Sequence, residues 1–271
     1  MPAEPERVQQ LLGQVIRDRA LRERLEREPE QVLRERGIEG EDAQLLLDVG
    51  IRRLIAYHEM VHSRLFKTIK AFMGGAATRI GEARLRADVR RWVVTLGPRS
   101  QMLRDVPHEF LEWARPQWED DQSLPPWLTE LAAHQVLIRT LRNMPVEVAP
   151  ASEHKIDLER PVLCNATARV LRYRYAVHRL PRKLPADIEP ELLEPGHAVV
   201  AFRNAEGKPR FVDIKARSAV MLERLLAGQT LREALFGACE AMGETLDDKI
   251  LSVTAVTLAD LCERHVLLGG A

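Results

Sequence analysis

The chain has 271 residues, which is long enough for about two domains with their own hydrophobic cores. Lys+Arg and Asp+Glu both number 40, so no net charge draws the whole chain towards nucleic acid or a membrane surface. The first residues lack the apolar core of a signal peptide, and no apolar run approaches the ~20 residues of a membrane span. We therefore expect a globular cytoplasmic protein.

The three cysteines, Cys164, Cys239 and Cys262, are widely spaced and contain no C-x-x-C pair. This spacing predicts neither a disulfide framework nor a zinc knuckle. Cys239 and Cys262 lie in stretches with helical spacing, so we expect them to be buried thiols.

The N-terminal segment, residues 1–48, is rich in Arg, Glu and Leu, with apolar positions at helical spacing. Pro29 can begin a helix as its first residue, and Gly37 can end it. We predict a helical segment without a defined role.

Residues 49–145 are predicted to form a helical domain. A helix over residues 51–73 carries an apolar stripe and ends at Gly74-Gly75, and three further helices are expected over residues 82–96, 107–118 and 126–142. The stripe consists of Ile51, Leu54, His58, Val61, Leu65, Ile69 and Phe72. Trp92, Trp113, Trp118 and Trp127 all fall in this domain and are expected in its core or in packing between its helices. Prolines mark residues 146–161 as a linker.

An H-E-x-x-H string, His58-Glu59-Met60-Val61-His62, lies within the first of these helices. Two histidines one turn apart can ligate zinc while the glutamate acts as general base, with Glu82 as a candidate third ligand. His58 also belongs to the apolar stripe, where a hydrogen-bonded core histidine is the alternative. We favour the structural interpretation and keep the zinc site as the rival.

A basic stretch follows the linker. Leu171, Tyr173, Tyr175 and Val177 alternate with polar residues, a spacing that predicts a half-buried strand. The basic residues are Arg169, Arg172, Arg174, Arg179, Arg182 and Lys183. They fit the solvated face of a strand, a groove for an acidic peptide, or a nucleic-acid surface.

Residues 198–202 and 210–214 are apolar runs on either side of the turn-forming sequence Asn204-Ala-Glu-Gly207, and they predict a β-hairpin. A helix over residues 216–226 should end at Gly228. Thr230 and Glu233 form the capping box of a second helix.

A third helix is predicted over residues 246–264, followed by the apolar run 266–268. Its predicted buried face is Ile250, Val253, Val256 or Thr257, and Leu261. Residues 162–271 thus predict a small winged-helix-like domain, a three-stranded sheet with three helices. The whole chain should be α+β and mostly α.

Two families resemble these patterns. The helical domain is similar to one once described as DNA-binding, in bacterial proteins that accompany multinuclear non-haem iron oxidases, as in methanobactin biosynthesis. The similarity is carried by Arg53-Leu54, Tyr57, Val61, Leu65, Ile80-Gly81-Glu82, Pro98-Arg99-Ser100, Met102-Leu103-Arg104-Asp105, Phe110-Leu111, Trp113, Pro126-Trp127-Leu128 and Leu131-Ala132. Residues 211–214, 225–230 and 267–268 resemble the PqqD-like peptide-recognition element.

These resemblances imply a non-catalytic subunit that binds the leader of a ribosomally made precursor peptide and presents its core to an iron-dependent oxidase. The iron would belong to the partner, so no cofactor is expected in this chain. The expected peptide-binding residues are Arg210, Phe211, Val212, Asp213, Ile214, Lys249, Val253, Arg172 and Arg174. The rival functions are a zinc metallopeptidase and a DNA-binding transcription regulator.

Overall fold

The computed structural model describes residues 4–145, 149–181, 183–185 and 187–271. Over these residues the chain is α+β and mostly α, as predicted. It divides into two compact units, Met1–Ala133 and His134–Ala271. The functional boundaries drawn from sequence at residues 48, 145 and 161 remain predictions. In the described part of the chain, no helix is both long and apolar enough to cross a bilayer.

The first unit is helical. Its helices are α1 (Glu4–Arg17), α2 (Arg19–Arg27), α3 (Pro29–Glu35), α4 (Gly40–Val49), α5 (Ile51–Phe72), α6 (Gly74–Ile80), α7 (Glu82–Thr95), α8 (Val106–Glu119) and the beginning of α9 (Leu128–Asn143). Pro29 begins α3, and Gly37 follows its end with a φ of +64°, a conformation that favours glycine. Both predictions about these two residues are confirmed.

The helices of the N-terminal segment share one core with α5. Leu11 of α1, Leu25 of α2 and Leu33 of α3 are almost fully buried. They belong to the same apolar cluster as Leu54 of α5. The segment therefore packs as part of the first unit.

The buried line of α5 differs from the predicted stripe. Leu54, His62, Leu65, Phe66 and Ile69 are buried, whereas His58 is only partly so. His62 lies three residues before Leu65 and four before Phe66, a spacing that places these side chains on one face of the helix. The predicted glycine stop is also only partly right, because α6 begins directly at Gly74 and the glycines mark a change of direction between two helices.

The predicted aromatic core of the first unit is confirmed for three of the four tryptophans, whereas Trp113 is only partly buried. Trp92, Trp118 and Trp127 are buried, and the ring of Phe110 lies 5.7 Å from the rings of both Trp92 and Trp118. The indole N–H of Trp118 donates to the buried carboxylate of Asp88 at 3.1 Å. This bond gives a polar atom in the core the partner it requires.

The second unit contains two small antiparallel sheets. Its strands are β1 (Val162–Cys164), β2 (Arg169–Leu171), β3 (Ala198–Arg203), β4 (Pro209–Ile214) and β5 (Leu267–Gly270), and its helices are α10 (Ala216–Leu226), α11 (Leu231–Met242) and α12 (Asp248–Glu263). The order β2-β3-β4 confirms the predicted three-stranded sheet. The sequence did not predict the pairing of β1 with β5.

The hairpin between β3 and β4 is confirmed. Asn204 N–H donates to Lys208 O at 3.0 Å, and Gly207 has a φ of +72° in the turn. The inner face of this sheet packs on the helices in one core, which includes Val200, Phe202 and Leu222.

Part of the predicted linker is hydrogen-bonded to β5 within the second unit. Ser152 N–H donates to Leu268 O, and Gly270 N–H donates to His154 O. Residues 146–148 of the linker lie outside the described residues.

The strand predicted through residues 171–177 is wrong beyond Leu171, where β2 ends. Ala176 N–H donates to Glu191 O, and Leu193 N–H donates to Arg174 O, both at 2.8 Å. The alternating pattern around Tyr175 therefore reflects contact with residues 191–193 and not a longer β2. A short 3-10 helix, Val177–Arg179, follows.

The buried face of α12 also differs from the prediction. Ile250, Thr254 and Leu261 are buried, whereas Val253 is 39% and Val256 is 69% exposed. The sequence pattern favoured the valines because they are apolar. The helical period instead places a threonine on the inner line.

The capping box of α11 is present. Thr230 Oγ1 accepts from Glu233 N–H at 3.2 Å, and Glu233 Oε2 accepts from Thr230 N–H at 2.9 Å.

We expect Thr230→Ala to lower the free energy of unfolding by about 1 kcal/mol, because a first-turn N–H loses its acceptor. Urea unfolding checks this. The matched control is Thr257→Ala, whose hydroxyl bonds to Val253 O within α12 and whose loss should change little. Equal losses in the two variants would contradict the expectation.

Candidate functional site

The strand β4 forms one edge of the three-stranded sheet, and its backbone direction follows from its neighbours. Arg203 N–H points to the β2 side, where it donates to Thr167 Oγ1 at 2.9 Å. Asn204 N–H points to the β4 side, where it donates to Lys208 O. The backbone N–H and C=O groups of successive residues point to alternate sides of an antiparallel strand. Those of Ala198, Val200 and Phe202 therefore point to β4.

The partners of these three β3 residues are Ile214, Val212 and Arg210. Their backbone groups therefore point inward to β3. Those of Phe211 and Asp213 point outward from the sheet. No strand among the described residues pairs with this outer edge. It presents hydrogen-bonding groups that a second extended chain can use.

The side chains of β4 also alternate. Val212 and Ile214 belong with the core that includes α10 and α11. Phe211 and Asp213 lie on the opposite face of the sheet, and Arg210 is exposed. The five predicted residues of β4 thus comprise two that pack in the core, two on the face of the sheet away from α10 and α11, and the exposed Arg210.

An aromatic group surrounds Phe211. The ring of His134 lies 4.5 Å from the ring of Phe211, and its Nδ1 lies 3.0 Å from the Tyr173 hydroxyl. His134 is 5% exposed. Burial lowers the pKa of His134 to about 4, so the ring is neutral at physiological pH.

Asp213 accepts hydrogen bonds from three cationic or titratable side chains. His178 Nε2 and His197 Nε2 lie 2.8 Å and 2.7 Å from the same oxygen, Oδ1, and Arg179 lies 3.1 Å from Oδ2. Partial burial acts to raise the pKa of Asp213, but the hydrogen bonds from His197, His178 and Arg179 together outweigh it and lower the pKa. Burial lowers the pKa of His178, against the raising effect of Asp213.

The two predicted arginines upstream lie elsewhere. Arg172 makes two hydrogen bonds of 2.9 Å to the carboxylate of Glu223 in α10, and it follows β2, the opposite edge of the sheet. The guanidinium of Arg174 lies 5.7 Å from the ring of Tyr175. The cation that contacts β4 is Arg179, which the predicted site omitted. Arg182 of the basic stretch lies outside the described residues.

The predicted residues of α12 are accessible. Lys249 and Val253 are exposed on this helix. Ile250 of α12 and Ile214 of β4 belong to one hydrophobic core. The helix and the strand are therefore parts of one packed unit, although the predicted apolar pocket residue Val253 points to solvent.

The H-E-x-x-H string has structural contacts. His62 Nε2 lies 3.1 Å from Ile16 O, and burial lowers the pKa of His62. Glu82 pairs with Lys70 and, at 3.0 Å, with Arg86. Among the described residues, His58, His62 and Glu82 are not brought together as a set of three metal donors. These contacts favour the structural interpretation of the string.

Sequence reasoning missed His134, His178 and His197 as members of the site. His178 is one of the polar residues in the alternating pattern of the basic stretch, and His197 directly precedes β3. No local spacing connects positions 178, 197 and 213, because the fold brings them together from separate segments. The available signal was weak: a histidine at the start of a fully apolar strand.

Residues 165–262 match the family profile described as the HvfC C-terminal domain. The matched range lies within the second unit and covers less than half of the chain. No curated protein sequence matches the chain significantly.

The low pKa of His134 predicts an acid-sensitive fold. The folded state holds a neutral ring with a pKa near 4, while the unfolded chain takes up a proton below its ordinary value of 6.5. Stability is therefore present above pH 6.5 and is lost as the pH falls towards 4. Between pH 7.5 and pH 5 we expect this residue to account for a loss of about 2 kcal/mol in the free energy of unfolding.

Urea unfolding of the wild type and of His134→Gln at both pH values measures this loss. The variant should be less stable at pH 7.5 but should lose about 2 kcal/mol less on acidification. An identical pH dependence in the two proteins would show that His134 is not the titrating group.

Proposed function

We propose that this protein is a non-catalytic partner of a biosynthetic enzyme, and that the outer edge of β4 binds the leader of a ribosomally made precursor peptide. The match to the HvfC C-terminal domain fits a partner role in a biosynthetic system. The observation that carries the proposal of peptide binding is the edge position of β4, whose outward backbone groups have no strand partner among the described residues.

An extended leader segment adds to such an edge as a fourth strand. Its backbone N–H and C=O groups pair with those of Phe211 and Asp213, and this pairing gives affinity with little demand on sequence. Pro209 at the beginning of β4 has no N–H, so the ladder starts within the strand. A short ladder of this kind suits a reversible complex.

Selectivity then comes from side chains around the edge. Arg210 and Lys249 are exposed cations that favour acidic residues in the leader. Val253 supplies exposed apolar surface on α12. Arg172 already pairs with Glu223, so it is a weaker candidate for peptide contact than the sequence suggested.

The first unit is the proposed contact with the enzyme. One face of α5 carries Arg53, Tyr57, Met60 and Arg64 at helical spacing, and all four are exposed. Met60 is 63% and Tyr57 is 40% exposed, a mixture of apolar and basic side chains typical of protein interfaces. The enzyme is proposed to be an iron-dependent oxidase that supplies the metal for the reaction.

Main-chain pairing is tested at Phe211, whose N–H points outward. Phe211→Pro removes this N–H together with the ring, whereas Phe211→Ala removes the ring alone. We expect Phe211→Pro to weaken binding of the leader at least about 5-fold more than Phe211→Ala, since one backbone hydrogen bond contributes about 1 kcal/mol. Fluorescence anisotropy with a labelled leader measures both affinities.

Val212→Pro serves as the comparison, because the N–H of Val212 points inward to β3. This change breaks the sheet itself and should lower stability, which thermal unfolding detects. If a folded Phe211→Pro variant binds the leader as tightly as Phe211→Ala, the outer edge of β4 is not the docking strand.

Presentation of the peptide is tested by reconstitution with the proposed oxidase partner. We expect the oxidase to modify the full precursor only when this protein is present, because the protein binds both and raises their effective concentration. A core peptide without its leader should gain nothing from the addition. Mass spectrometry follows the modification. Equal rates with and without this protein would remove the presenting role.

The rival functions give different results in the same preparations. A transcription regulator should retard duplex DNA with an affinity that falls steeply with salt. A zinc metallopeptidase should cleave peptides and lose that activity in His58→Ala. Leader binding without either activity supports the proposal, and either activity in its absence overturns it.

A further inference from the structure

A second site lies beside the edge of β4 and does not depend on the proposed function. His178, His197 and Asp213 each offer one donor atom, and these three atoms lie within 4.8 Å of one another. Both imidazoles approach the same carboxylate oxygen through Nε2. Among the described residues, these three form the group of His, Cys, Asp or Glu side chains whose donor atoms lie close enough together to hold a metal ion.

We propose that His178, His197 and Asp213 form a binding site for a divalent transition-metal ion such as Zn²⁺ or Fe²⁺. Two imidazole nitrogens and one carboxylate oxygen suit ions of this class, in contrast to the all-oxygen sets preferred by Mg²⁺ and Ca²⁺. Three protein ligands leave further coordination positions open. The site thus amends the expectation that this chain holds no cofactor.

The surroundings suit a site that is buried on one side and open on the other. The side chain of His178 is 4% exposed, that of His197 is 20% exposed, and that of Asp213 is 42% exposed. The coordination positions that the three ligands leave open therefore face solvent on the side of Asp213. An ion can enter there without unfolding the core.

Two of the three donor separations must widen to admit an ion. Their present N···O distances of 2.8 Å and 2.7 Å are those of hydrogen bonds. Ligands about 2.0–2.2 Å from a tetrahedral ion lie roughly 3.3 Å apart, so each contact must widen by about half an ångström. Asp213 and the residue after His197 are held in register by the β3–β4 ladder, which limits larger movements.

Two features restrict the affinity. Arg179 places a positive charge 3.1 Å from Oδ2 of Asp213. The buried His178 Nδ1 has no hydrogen-bond partner among the described residues, yet it must carry the ring proton when Nε2 binds metal. We therefore expect an affinity about 10- to 100-fold weaker than that of a site whose histidines have a complete set of supporting hydrogen bonds.

The test uses the full-length protein without a histidine tag, stripped with chelator and titrated at pH 7.5 with Zn²⁺ by calorimetry. A parallel titration with Co²⁺ reports coordination through its visible absorption. We expect one ion per chain. His197→Gln and Asp213→Asn should each weaken binding at least about 10-fold and change the Co²⁺ spectrum, because each removes a direct ligand.

His154→Gln is the matched control, since His154 is exposed in the same unit and belongs to no donor cluster among the described residues. The affinity of this variant for Zn²⁺ should equal that of the wild type. Circular dichroism verifies folding, and the partly exposed His197 gives a usable variant if Asp213→Asn is unstable. Absence of stoichiometric binding, or unchanged affinity in a folded His197→Gln, would overturn the site.

Discussion

The second unit depends on the burial of β3. Residues Ala198 to Phe202 of this strand are at most 2% exposed, so both faces of the central strand are covered. The helices cover one face. On the other face, Phe211 and Asp213 of β4 contact His134, His178 and His197, and these contacts bring titratable side chains to a sheet edge. The burial of the apolar strand β3 thereby fixes the position of the histidines and of Asp213.

Placing imidazoles at this face has an energetic consequence. A buried histidine is held neutral, because desolvation disfavours its charged form. His134 finds a neutral partner in the Tyr173 hydroxyl, whereas His178 finds a carboxylate. The same face thus combines an uncharged aromatic group around Phe211 with a polar group around Asp213. The side chains of Phe211 and Asp213, which lie on the same face of β4, therefore have different environments.

Local interactions made much of this fold predictable. The β3–β4 hairpin, the capping box of α11 and the first residue of α3 depend on residues close in sequence, and each is confirmed. Longer-range packing overruled the sequence pattern elsewhere. The tyrosine-containing segment pairs with residues 191–193, α12 buries Thr254 in place of Val253, and β1 pairs with β5. The donor set around Asp213 was unpredictable for the same reason, since it joins three segments that no sequence period relates.

The pairing of β1 with β5 has a further meaning for the history of such proteins. Val162 lies opposite Gly270, so the two ends of this stretch are neighbours in space. A segment whose ends meet can be inserted, transplanted or rejoined in a new order without disturbing its interior. Such a segment can therefore be joined to different companion domains while its own fold is kept.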